Sequence, residues 1–489
     1  MKPHYNKSHK IHKPIKKYNN KTCDEKMTFD ECELAILRAA VDETEEKKGR
    51  EIVNNDEIKK ILKIVENFII RKKLILYGGT AINNILPKFA QFYDRDIELP
   101  DYDFYSKNAL EDAKELADIY YKEGYLDIEA KSGVHMGTFK VFVNFIPIAD
   151  ITQLNSVIFD ELSKDTIKVS GMRHCPANFL RMNMYLELSR PSGDVSRWEK
   201  ILKRLILLNK FYPLKTQDNC TDIDFQRKLD VDMNISEKIY ITTRDAFINQ
   251  GVIFFGGYAV SLYARYMSEQ EQHAVKKIAD FDVLSEEPEK CALIVKERLQ
   301  DEGFKHIKMI HHPEVGEIVP ACIEINVNGE VVAFIYKPIA CHSYNTIRVD
   351  EQEINIATID TILTFYFSFI YTKRPYYTIE RLLCMAKFLF DVEQRNRLAQ
   401  NGLLKRFSIN CYGKQKTLEG MRAEKAEKFK ELGSDRNSIE YQMWFLKYSP
   451  GTKEGVSKKR PVKNIVKDEK PHNIRKTQKV RSKKDDYLV

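Results

Sequence analysis

The chain has 489 residues, 43% hydrophobic and 31% charged, and a formal net charge of +8. That reads as soluble and globular, with length for about three domains. The polar, basic start leads us to expect no secretory signal, and the longest apolar run, "ILTFYFSFIY" at 362–371, about half the length a span requires, no membrane span.

Residues 1–22 carry seven lysines and no acid, a net of +7. At the other end, 451–489 hold 13 Lys and Arg against 5 acids, a net of +8, which leaves −7 for residues 23–450. Both tails are rich in Lys, Asn, His and Pro, so they are expected to be disordered. They serve either solubility and targeting or attraction to phosphate backbones. Nine cysteines form no C-x-x-C pair and are odd in number. We therefore expect neither a disulfide framework nor a zinc site, and a reducing, intracellular setting.

Within the body, "DEIKKILKIVENFIIR" at 56–71 spaces its apolar residues as a helix does. A short strand, Leu74 to Tyr77, leads into Gly78–Gly79, and a second helix starts near Thr80. "PDYDFYS" at 100–106 reads as a strand, and "NALEDAKELADIYYKEG" as a helix with Asn108 at its start and Gly124 at its end. Two strands are expected near 125–131 and 137–151. "PANFLRMNMYLELS" and "SRWEKILKRLILLNK" are helices that leave this unit.

The same order returns. "LILYGGTAI" aligns with "VIFFGGYAV", and Asp101 and Asp103 fall on Asp280 and Asp282 at almost the same offset. "EGYLDI" lies over "EGFKHI", and "VNFIPIADI" over "VNGEVVAFI". The fold class expected is mixed α/β: two tandem units, each a small mixed sheet flanked by helices, then a helical part from about 357.

On a strand, residues i and i+2 share a face, their Cα atoms roughly 6.6 Å apart. Asp101 and Asp103 so placed repel unless a cation sits between them, an arrangement that suits Mg²⁺ and substrate phosphates. A third carboxylate on an adjacent strand admits a second ion roughly 3.5–4 Å away. Asp150, at the end of "FVNFIPIAD", is the candidate. Gly78 and Gly79 between strand and helix let amides approach an anion, and Thr80 adds a hydroxyl. Each piece alone has a bland reading, a tight turn or a solvated edge; the ordered set reads as a nucleotidyltransferase site.

"YGGTAIN", "PDYDFYS" and "IPIADITQL" resemble the glycine pair and three-aspartate signature of polymerase-β-like nucleotidyltransferases. With "LRMNMYLELSRP" and "SRWEKILKRL", residues from about 50 to 390 resemble the viral poly(A) polymerase catalytic subunits of poxviruses and giant DNA viruses. The resemblance implies template-independent addition of AMP from ATP to an mRNA 3′ end, with two Mg²⁺ or Mn²⁺ ions. It implies that Gly78, Gly79 and Thr80 touch the triphosphate and that Asp101, Asp103 and Asp150 hold the metals. It also implies a homodimer in the host cytoplasm, at the viral factory or packaged in the virion, with no membrane association. Neither adenine preference nor RNA as primer follows from spacing.

The second unit keeps its glycines and Asp280/Asp282 but aligns Phe334 with Asp150 and Tyr258 with Thr80, so it is expected to be degenerate. The organisation expected is a basic tail over 1–30, the catalytic domain with N-terminal helices over 31–190, and a helical linker over 191–245. The degenerate unit then spans 246–356, a helical part 357–450 and a second basic tail 451–489. Lys200, Lys203 and Arg204 read as a solvated face, with phosphate contact as the alternative. Arg173, His174 and Arg181 follow the third acid closely enough to reach a nucleotide. Competing readings are a uridylyl- or CCA-type transferase, a nucleotidyl cyclase or oligonucleotide synthase, and a non-catalytic RNA-binding subunit.

Overall fold

Helix α1 (Phe29–Val53) starts from a capping box in which Thr28 and Glu31 satisfy each other's backbone amides. Asn55 caps α2 (Asp56–Lys72), which buries Ile58, Ile61, Val65, Phe68 and Ile69 along one stripe and ends at Lys73 in the left-handed region. The chain is a computed structural model that describes residues 22–24, 26–216, 219–220, 223, 232–275, 280–349, 351–374 and 376–451. The basic stretches 1–21 and 452–489, on which the expectation of disorder falls, lie outside the described residues.

After α2 come β1 (Ile75–Leu76), α3 (Gly78–Ile85), β2 (Tyr102–Ser106) and α4 (Ala109–Lys122). Then follow β3 (Ile128–Ser132), β4 (Thr138–Val143), β5 (Ile146–Gln153), α5 (Ser156–Lys164), β6 (Ile167–Val169) and β7 (Met172–His174). Helices α6 (Ala177–Leu188) and α7 (Trp198–Phe211) complete the first half.

The second half runs α8 (Met233–Asn249), β8 (Ile253–Phe254), α9 (Gly257–Tyr263), α10 (Glu269–Val275), β9 (Phe281–Leu284) and α11 (Pro288–Asp301). Its remaining strands are β10 (Ile307–His312), β11 (Cys322–Val327), β12 (Glu330–Tyr336), β13 (His342–Val349) and β14 (Gln352–Ala357). Last come α12 (Ile359–Phe369), α13 (Ile379–Arg395), β15 (Cys411–Tyr412), α14 (Leu418–Leu432), α15 (Ile439–Phe445) and β16 (Lys447–Tyr448).

The strands make two sheets of one design. The first has the order β16-β3-β4-β5-β2-β1-β7-β6, the second β10-β11-β12-β9-β8-β14-β13-β15. In each, the Asp-x-Asp strand lies parallel to one neighbour and antiparallel to the other: β2 beside β5 and β1, β9 beside β12 and β8. The mixed α/β class thus appears twice. Helix α6 packs on α12, all eleven of whose residues are buried, so one apolar core runs through both halves. Among the described residues, no helix is long and apolar enough to cross a membrane.

Two sequence expectations need correction, and two short strands add to what the sequence predicts. The strand expected over 137–151 is a hairpin, because Asn144 and Phe145 both take left-handed conformations and reverse the chain. The second unit turns at the equivalent Asn328–Gly329, where the Asn-Gly signal is plain. The short strands β6 and β7 had no periodic signal, yet β7 lies parallel to β1 and extends the sheet. Finally, six of the nine cysteines are paired, as Cys23–Cys32, Cys220–Cys384 and Cys341–Cys411, with Cα separations of 5.1–5.3 Å. Folding brings together sulfurs up to 164 residues apart, which spacing rules cannot register.

Candidate active site

The turn from β1 into α3 is built around one close approach. Tyr77 is extended and its amide donates to the Asp103 carbonyl (3.0 Å), tying the end of β1 to β2. Gly78 follows with φ of +71°, and a Cβ there would lie 2.6 Å from Asp103 Oδ2. Glycine is needed twice over, for the dihedral and for room beside the carboxylate. At Gly79 a Cβ would press on Tyr93 Oη and come within 3.0 Å of Arg204 Nη1. The glycine pair therefore sits between an acid and a base, at the amino end of α3, where amides are free to meet an anion.

The three predicted aspartates come together on this side. Asp103 and Asp150 are direct partners in the parallel β2–β5 ladder, so their side chains share a face, and Asp101 immediately precedes β2. Burial pushes the Asp103 carboxyl up to about 7, with Asp101 and Asp150 adding repulsion. Burial, then Asp150, raises Asp101 as well. Such a cluster is short of positive charge, and its hard oxygens are the ligand type a divalent cation takes. The chain's own nearest answer is Lys140, cross-strand from Asp150 and ion-paired to its Oδ2. Among the described residues, no group of three or more His, Cys, Asp or Glu stands in metal-holding geometry. The donor set and its charge are of the kind a divalent cation takes.

Thr80, in the first turn of α3, is 1% exposed and its Oγ1 has no hydrogen-bond partner. Asn83, one turn on, uses Oδ1 to accept from the amides of Phe92 (2.7 Å) and Tyr93 (3.0 Å), which folds that segment over the helix. Tyr93 Oη then accepts from Arg204 Nη2 (2.7 Å), and the guanidinium stacks over Phe92, 4.8 Å from the ring centre.

Arg204 corrects the reading of its helix. Lys203 is solvated and pairs with Glu199, but Arg204 is 9% exposed. No carboxylate lies within ion-pair distance of it among the described residues. The signal was present, since Arg204 falls on the stripe formed by Ile201, Leu205 and Leu208. Arg181, by contrast, is fully buried and spent on Asn178, Asn209 and the Tyr212 carbonyl. His174 is buried too, held by Asn84 and the Ile167 carbonyl, with its imidazole pushed down to about 4 by desolvation. Neither is available to a ligand.

The second sheet repeats the frame with other chemistry. Gly256 again packs against the carboxylate of its Asp, Asp282. The residue opposite Asp282 in the β9–β12 ladder is Phe334, which stacks on Tyr376 with centroids 4.5 Å apart. Tyr377 donates to Asp282 Oδ1 (3.4 Å), and Arg381 Nη2 stands 3.9 Å from Asp280 Oδ1. Glu324, cross-strand from Phe334, is held by His312 (2.8 Å). Aromatic rings and a guanidinium occupy this second cleft.

Comparison with known proteins adds names to the geometry. Residues 63–194, which include the glycine pair and all three aspartates, match the family described as "Poly(A) polymerase catalytic subunit". A protein of African swine fever virus (isolate Pig/Kenya/KEN-50/1950), named as a poly(A) polymerase catalytic subunit, is 37% identical over 153 residues, 30% of this chain and 32% of that one. A protein of Acanthamoeba polyphaga mimivirus with the same name is 29% identical over 214 residues, 41% of this chain and 35% of its own. The matches thus span about a third of these relatives. The crystal structure of the Megavirus polyadenylate synthase superposes with a TM-score of 0.73 at 19% identity, covering 87% of this chain and 86% of that one. That likeness is one of fold.

Proposed function

We propose that this chain, whose residues 63–194 carry the poly(A) polymerase catalytic-subunit domain, adds AMP from ATP to RNA 3′ ends without a template and releases pyrophosphate. The observation that carries the reading is the Asp103–Asp150 register, which sets a half-buried carboxylate pair beside Gly78 at the start of a helix. The primer O3′ loses its proton to solvent and bonds to the α-phosphorus as the bond from that phosphorus to the β-phosphate oxygen breaks. Asp101, Asp103 and Asp150 would hold two Mg²⁺ or Mn²⁺ ions, which supply charge neutralisation at the α-phosphate and activation of the primer hydroxyl. The chain's own part is positioning. The free amides of Gly79 and Thr80 and the unpartnered Thr80 hydroxyl receive the outer phosphates. Arg204, stacked and tethered, adds a fixed positive charge beside Gly79.

We extend the reading to a homodimer acting inside the infected cell, in the cytoplasmic factory or within the virion. The basic tails, including those of a second protomer, would offset the net −7 of residues 23–450 when RNA is held. Light scattering on the purified chain tests the dimer.

Extension of a labelled oligoadenylate primer with each NTP and Mg²⁺ or Mn²⁺ tests the activity. Long ladders with ATP are expected, abolished in Asp101→Ala/Asp103→Ala and retained in Asp280→Ala/Asp282→Ala. Equal extension with UTP would replace the reading with a uridylyl-type transferase, and no extension at all with an RNA-binding protein.

A further inference from the structure

Lys140 enters the carboxylate cluster from β4. Its position is fixed by the sheet, directly cross-strand from Asp150, and its ammonium is bound to Asp150 Oδ2. The Asp150 side chain is 19% exposed and that of Lys140 40%, so the pair sits at the mouth of the cleft with the lysine outermost. The same ammonium is a favourable charge felt by both Asp101 and Asp103. Arg197 is the other cation acting on Asp103.

The second unit provides an internal control. The cross-strand position equivalent to Lys140 is Glu324, and its partner there is Phe334 in place of an acid. The lysine and the third carboxylate are thus both absent from the copy whose cleft is filled, where Arg381 approaches the acids instead.

We propose that Lys140 is the resident counter-cation of the metal-free site, a positioning residue that holds Asp150 until a divalent ion displaces it. The inference rests on the nucleotidyl-transfer reading of the three aspartates. Removing Asp150's partner without replacement would leave a half-buried carboxylate facing two others. Lys140 prevents that, and because a partly exposed lysine pair is weak, a divalent ion can break it. The residue therefore competes with metal and sets how much metal the empty enzyme takes up.

The test is Mn²⁺ binding to the full-length chain without nucleotide or RNA, followed by the electron paramagnetic resonance of free Mn²⁺. Only sites lost in Asp101→Asn/Asp103→Asn are counted. Lys140→Met is expected to bind Mn²⁺ three- to tenfold more tightly than the wild type, and Lys140→Arg within twofold of it. Unchanged or weaker binding by Lys140→Met overturns the proposal, as does equal tightening in Lys140→Arg, which would make shape and not charge the cause. A second measurement needs no folded Met variant. In reductively ¹³C-methylated wild type, the Lys140 resonance, identified by its loss in Lys140→Arg, is expected to move on addition of Mg²⁺. A resonance that stays in place overturns the proposal. A wild type that binds no Mn²⁺ takes the nucleotidyl-transfer reading down with it, whereas bound Mn²⁺ with unchanged affinity in Lys140→Met removes only the role of Lys140.

Discussion

Phe334 lies opposite Asp282 in the second sheet in the same register that sets Asp150 opposite Asp103 in the first. Two ladders of one topology therefore differ, at one rung, by a carboxylate against a benzyl ring. Phe334 is 1% exposed and packed on Tyr376, so Phe334→Asp is expected to destabilise the chain by about 3 kcal/mol or more and to create no new activity. Urea unfolding and primer extension in an Asp101→Ala/Asp103→Ala background check the two halves of that statement.

Gly78 answers to two constraints at once, a φ of +71° and the nearness of Asp103 Oδ2. Gly78→Ala is expected to displace the Asp103 carboxylate and to cut kcat by at least about 100-fold, as misplacing a reacting group by an ångström does. Circular dichroism should show the fold retained. Near wild-type turnover in Gly78→Ala would mean that the close approach has no part in the chemistry.

Arg204 is tethered by Tyr93 and has no carboxylate within ion-pair distance among the described residues. Arg204→Ala is expected to raise KM for ATP by roughly 10- to 100-fold, the loss of one charge-assisted phosphate contact, with a smaller effect on kcat. Tyr93→Phe, which keeps the charge and loosens its tether, should move KM the same way but less. Steady-state kinetics at fixed primer distinguishes this from a folding defect, which would lower the active fraction without changing KM.

The partly buried carboxylate of Asp103 sets a pH dependence. The Asp103 carboxyl stands at about 7 in the folded chain, above its ordinary value, so the folded state binds this proton more tightly than the unfolded one. Its contribution is favourable at acid pH and is lost as pH rises from about 4 through 7. Without metal, stability should therefore fall across that window, and Asp103→Asn should flatten the fall, raising Tm at pH 8 by roughly 2–5 °C. Differential scanning fluorimetry in EDTA from pH 5 to 8 measures it. The divalent ion should restore stability at pH 8 in the wild type and not in Asp103→Asn.

Much of this site could be read from one sequence because its chemistry is local and repeated. Gly78–Gly79 and Asp101-x-Asp103 lie on consecutive elements, and the second copy supplied a register check that a single motif lacks. What escaped the reading depends on distance. Lys140 meets Asp150 only because Asn144 and Phe145 turn what looks like one long strand into a hairpin. Arg204 meets Gly79 across 125 residues, and a charge beside lysines looks solvated until its place on the apolar stripe is noticed. The cysteine pairs are the extreme case, since no rule of spacing connects Cys220 with Cys384.

The short strand Lys447–Tyr448 closes the edge of the first sheet against β3, and Tyr448 Oη reaches Asp118 on α4. The sheet that carries the three aspartates is thus finished by residues about three hundred positions downstream. At ordinary translation speeds that is a wait of roughly 15 to 60 s, during which β3 presents open amides and carbonyls to the cell. The nascent chain has its carboxylates long before it has a sealed sheet, and the interval is when it is most exposed to pairing with another chain.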